Sequence, residues 1–187
     1  MRLPGTGDHG RQAGRLRRPD GDPGRGGRRV PEEVRGALAD GERLLAWSGV
    51  RGDPASFVAA TDGALHVIGA TSTRLPWDLV DKATWDDEEI LVVEARRAPG
   101  EPLRSWRIPL AEGQRLPTVV YERVTSNVVV SERVRLEGDA GARLVARRSG
   151  DGVRWTVTFD PGLDPRDPRL RAQAQAALDD LRGTLGL

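Results

Sequence analysis

Apolar and polar positions alternate along most of this chain in short runs punctuated by turn residues. The clearest run sets Val153, Trp155, Val157 and Phe159 on one face and Arg154, Thr156 and Thr158 on the other. That two-residue period belongs to a half-buried strand. Similar runs predict strands at 43–48, 56–61, 64–69, 73–76, 80–86, 89–95 and 102–110, then at 128–136, 142–149 and 153–159. Asp62-Gly63, the acidic corner Asp86-Asp87-Glu88 and Ser149-Gly150-Asp151-Gly152 supply tight turns between them.

Three stretches carry helical spacing instead. Pro31 followed by Glu32 and Glu33, with apolar residues at Val34, Ala37 and Leu38, predicts a short helix that Asp40-Gly41 ends. Leu116, Val120 and Val124 recur every four residues behind Pro117, and a helix is predicted although β-branched residues favour strand. Leu170, Ala174, Ala177, Leu178, Leu181 and Leu185 form one stripe, preceded by the capping segment Asp164–Pro168. The order is helix, seven strands, helix, three strands, helix. It predicts a mainly β (α+β) fold: an antiparallel barrel or sandwich with a capping helix, plus an extension of three strands and a C-terminal helix.

Composition divides the chain further. Residues 1–29 hold eight Arg against three Asp, a net of +5, which leaves −4 for the other 158 residues of a chain whose net charge is +1. This Gly/Arg-rich tail has four apolar side chains and is expected to be disordered. The predicted organisation is therefore tail 1–29, a first domain at 30–126, and an extension at 127–187 packed on it. Two readings of the tail stand: an arm that contacts phosphates of membrane or nucleic acid, or translated sequence upstream of a start at Val30. No aromatic residue interleaves its arginines, so base stacking is not expected.

The chain contains no Cys and two His, which removes thiol chemistry, disulfides and His-rich metal sites. No apolar segment suggests a signal or a membrane span, so a cytoplasmic protein is expected. Gly5-Thr6-Gly7-Asp8-His9-Gly10 fits a dinucleotide fingerprint by letter but lacks the strand before it and the helix after it. No cofactor is expected.

Across several strands the chain resembles bacterial pleckstrin-homology-like (PH-like) domains. The residues that carry this are Gly41–Trp47, Val58–Val67, Arg74-Leu75-Pro76-Trp77, then Val80, Ala83-Thr84-Trp85 and Ile90–Val93. The likeness covers about 32–126, and the whole chain is similar to proteins of GC-rich bacteria. It implies a PH-like barrel and a binding module without catalysis, with protein or peptide as partner. Such folds leave a groove open between a strand edge and the capping helix, where an extended ligand fits. Attachment to anionic membrane or nucleic acid through the tail is the alternative.

Five Trp stand against two Phe and one Tyr. Packing accounts for most of them; Trp77, behind Pro76, and Trp85, at the acidic corner, are the two candidates for docking a partner. Arg43, Arg51 and Arg74 are the candidate basic contacts, Arg51 lying in the loop where lipid-binding PH domains cluster cations. Asp86, Asp87, Glu88 and Glu89 are read as a solvated turn, and Asp160, Asp164 and Asp167 as turn and cap residues, not as metal ligands. His66, in mid-strand without a G-x-S-x-G nucleophile elbow anywhere, is read as a structural histidine. An enzyme using His66 and an acid is the weakest reading.

Overall fold

The computed structural model describes residues 29–86, 88–111, 115–150 and 152–186. The tail prediction therefore lies, apart from Arg29, outside the described residues. Helix α1 (Glu32–Ala37) starts directly after Pro31 and buries only Val34 completely. A four-stranded antiparallel sheet follows in sequential order: β1 (Leu44–Val50), β2 (Asp53–Thr61), β3 (Ala64–Ile68) and β4 (Thr73–Pro76). A single 3-10 turn, Trp77–Leu79, leads into the second sheet of β5 (Val80–Trp85), β6 (Ile90–Ala95) and β7 (Arg104–Pro109). Helix α2 (Arg115–Ser126) comes next, then a third sheet of β8 (Val128–Glu137), β9 (Ala140–Ser149) and β10 (Gly152–Phe159), and finally helix α3 (Pro168–Leu185).

The two-residue period does what it predicts. In the first two sheets the inward positions Val58, Ala60, Leu65, Leu75, Leu91, Val93 and Ile108 form one core, into which α2 inserts Leu116 and Val120. Each fully buried side chain of this size contributes roughly 1.5–3 kcal/mol. That burial overrides the strand preference of Val119, Val120 and Thr118 and makes this segment a helix. On the opposite face of the first sheet, Val34 of α1 joins Ala59 and Ile68 in a smaller cluster, with Trp47 and Phe57 against it.

Of the expected barrel or sandwich, a closed barrel is not formed. The sheets stay separate because the 3-10 turn intervenes between β4 and β5, so those strands do not pair. One corner is tied by main-chain bonds: Arg51 N–H to Pro109 O (2.8 Å) and Ala111 N–H to Gly49 O (2.9 Å).

The third sheet makes its own layer, in the order β10-β9-β8. Gly141 sits opposite Arg135, and a Cβ there would lie 1.9 Å from the Val134 carbonyl oxygen. Helix α3 is capped by Asp167, which accepts the Arg169 N–H at 2.8 Å, and ends at Gly186 in the left-handed region. Leu170, Ala174 and Leu178 are its buried residues, and the Arg182 guanidinium lies 5.7 Å over the Trp155 ring.

Between this layer and the start of β5 runs a polar seam. Asp78 Oδ2 accepts from Ser149 Oγ and from Arg154 Nε, both at 2.6 Å. Asp81 Oδ2 accepts from Arg96 at 2.6 Å, and buried Arg147 donates Nη2 to the Asp81 carbonyl at 3.1 Å. Arg147 Nε and Asp81 Oδ1 are left without hydrogen-bond partners.

Candidate functional site

The five residues singled out from the sequence fall in separate places. Trp77 is 5% exposed, part of the main core, and its indole Nε1 donates to the Thr61 carbonyl at 3.0 Å. It holds the turn between the sheets and presents no docking surface. Arg43 lies over Asp62, which also accepts its main-chain N–H at 2.9 Å. Arg51 donates to the Glu88 carbonyl at 2.7 Å and to Glu89 Oε2 at 3.4 Å. Arg74 gives both Nε and Nη2 to Glu42 Oε1. Each of the three cations thus stands beside a carboxylate of its own.

The acidic corner behaves as a turn. Asp86 Oδ1 accepts the N–H groups of Glu88 and Ile90, and Glu89 takes a positive φ of 61°. Asp87 lies outside the described residues. Asp160 binds Arg133 and the Gly141 N–H, Asp164 the Arg166 N–H, and Asp167 caps α3. Among the described residues no group of His, Cys, Asp and Glu is placed to hold a metal ion. No helix among them is long and apolar enough to cross a membrane.

Trp85 is different. It is 39% exposed at the end of β5, the outer strand of the second sheet, and α2 packs along that strand. Between them lies a groove of about 450 Å³ lined by Ala83, Thr84, Trp85, Leu91, Pro117 and Tyr121, among others. Trp85 pairs in register with Leu91 and so shares its face, which places the indole beside the core and not over the outer surface. Tyr121, 65% exposed, stands on the helix side. It lies one position off the Leu116–Val120–Val124 stripe, so the helical spacing does not single it out.

The edge of β5 is the groove's other asset. Asp86 N–H bonds to the Ile90 carbonyl, and the register pairs Thr84 with Val92 and Trp85 with Leu91. Main-chain groups in an antiparallel ladder alternate in direction. Asp86 and Thr84 therefore turn toward β6, and Ala83 and Trp85 turn their N–H and C=O outward. The outward carbonyl of Asp81 is already taken by Arg147. The groove thus combines an apolar wall with two residues of open strand edge.

A second cluster was not assembled by the sequence. His66 Nε2 lies 2.7 Å from Glu42 Oε2, whose other oxygen receives Arg74, under the C-terminal end of α1. Burial raises the Glu42 pKa, but the bonds from Arg74, His66 and the Ala39 N–H more than reverse this and hold it below its ordinary value. Gly63 makes room for this carboxylate: a Cβ there would lie 2.8 Å from Glu42 Oε1.

Comparison with protein-family models, with curated proteins and with solved structures finds no match for this chain.

Proposed function

We propose that this protein is a non-catalytic recognition module that binds an extended peptide in the groove between β5 and α2. The observation that carries the reading is the coincidence of exposed Trp85 and Tyr121 with the outward main-chain groups of Ala83 and Trp85. A strand added along β5 gains main-chain hydrogen bonds for affinity, and the Trp85–Tyr121 wall selects an apolar side chain every second residue. The PH-like resemblance belongs to the same proposal. Four strands, three strands and a helix follow one another over 44–126, the succession that the resemblance implies. Sheet edges and apolar grooves serve peptides better than phosphates, and Arg43 and Arg51 each face a carboxylate.

The test is selection from a library of displayed random peptides on the full chain, in parallel with Trp85→Ser and Tyr121→Ser. The reading expects a consensus with alternating apolar positions, enriched on the native chain and lost on both variants. A native selection without consensus, or a consensus that both variants retain, overturns it.

A further inference from the structure

The outer face of the first sheet carries a second cleft, about 510 Å³, that shares no lining residue with the β5 groove. Glu33, Gly36 and Ala37 of α1 form one side, and His66, Thr73 and Arg74 of β3 and β4 form the other. The His66 ring is 3% exposed, yet it is part of the cleft wall. Its Nε2 faces a carboxylate that is held in the charged form and only accepts, so Nε2 carries hydrogen. Nδ1 has no partner among the described residues. Arg74 commits Nε and Nη2 to Glu42, and its Nη1 likewise has none; its side chain is 43% exposed.

One buried carboxylate thus orients two nitrogen-bearing groups and is itself saturated. Glu42 Oε1 receives two Arg74 donors, and Oε2 receives His66 and the Ala39 N–H. Its charge is offset within the cluster, and what remains available to a ligand is Arg74 Nη1 and His66 Nδ1. We propose that this cleft binds a small oxyanion that also carries a hydroxyl, a hydroxycarboxylate or a hydrogen phosphate: Arg74 Nη1 donates to the anion and His66 Nδ1 accepts from the hydroxyl. Arg74 supplies a charge-assisted bond at any pH. The charged groups facing His66 are Glu42 and Arg74 from its own sheet side and Glu33 from α1. Glu33, exposed at the rim, is the one that opposes an anion.

The chain has two histidines, His9 and His66, and this makes the test direct. Ring proton signals of both are followed by NMR on the full chain while sodium phosphate or sodium lactate replaces sodium chloride at constant ionic strength. The proposal expects the His66 signal to move and saturate while His9 follows no saturating curve. Saturation by lactate alone, phosphate alone or both identifies the oxyanion class. Arg74→Gln should weaken the response about tenfold or more, the loss of one charge-assisted bond. Glu33→Gln leaves the three-residue cluster intact and should tighten binding roughly two- to threefold by removing the rim charge. A His66 signal that stays still with both salts, or that moves only in proportion to His9, overturns the proposal. So does an Arg74→Gln chain that remains folded by its amide spectrum and binds as before.

Discussion

The core between the first two sheets and the seam beneath the third sheet solve the same problem by opposite chemistry. In the core, Leu65, Leu75, Leu91 and Val93 are sealed by one another and by α2, and the few polar side chains among them, the Trp77 indole, Thr61 and Ser48, are hydrogen-bonded. Along the seam, Asp78, Asp81 and Arg96 meet Arg147, Ser149 and Arg154 across more than fifty residues of chain, and two buried polar atoms are left without a hydrogen bond. Apolar packing is non-directional and supplies most of the free energy. Buried ion pairs contribute little net stability once desolvation is subtracted, but they accept only one geometry. The comparison teaches that the first unit is held together by its core, whereas the third sheet is oriented against it by directional bonds.

The sharpest way to break that contrast is in the core. Leu65→Ala removes a fully buried side chain and should cost about 2–5 kcal/mol, read as a lowered midpoint in urea unfolding. A loss below about 1 kcal/mol would mean that the inner faces do not form one core. At the seam, Asp78→Ala strands Arg154 and Ser149 and should cost about 1–3 kcal/mol. The further change Arg154→Met should recover part of it, because an apolar pair replaces an orphaned charge. Hydrogen exchange should rise in β9 and stay slow in β3; equal acceleration in both would erase the distinction between the two regions.

A smaller effect is expected from acid. Glu42 has a folded pKa below its ordinary value, so its contribution to stability is present above the unfolded pKa and is lost as pH falls through the folded one. Unfolding free energy measured from neutral pH downward should therefore fall in the acid range, and Glu42→Gln should flatten that slope. The smallest effect belongs to the groove. Tyr121→Ser should change stability by no more than about 0.5 kcal/mol, because the side chain is largely solvated. A larger cost would make Tyr121 a packing residue and remove one wall of the proposed peptide site.

Much of this architecture was legible in the alternation of side chains. β3, β4, β5 and β10 fall within a residue of their expected bounds, and the three helices lie where the apolar spacing places them. Local pattern failed where distant chain decides. Pro76-Trp77 reads as an exposed strand opening, but the 3-10 turn swings the indole to the Thr61 carbonyl, a partner sixteen residues away. β2 begins at Asp53, ahead of the expected residue 56, because Asp53 pairs with Val50 across the turn, while residues 54–56 bulge before Phe57 and Asp53 ties the Ala55 N–H and Ser56 hydroxyl. Trp85 was singled out from the sequence, yet its neighbour Tyr121 comes from a helix thirty-six residues on, and no period links the two. The Glu42–His66–Arg74 cluster depends on the register that pairs His66 with Arg74, which no single segment encodes.

Gly141 bears on how faithfully the third sheet forms. The end of β8 alternates charged and apolar residues over Arg133–Glu137, so its own pattern accepts more than one alignment against β9. Sliding one strand by a single residue would bring the methyl of Ala140 or Ala142 to the place where any Cβ strikes the Val134 carbonyl oxygen. A main-chain atom cannot rotate out of the way. The missing side chain therefore works as a keyed notch: misaligned hairpins are rejected on contact, and the sheet that reaches the seam presents Arg147 and Arg154 in the one alignment that meets Asp78 and Asp81.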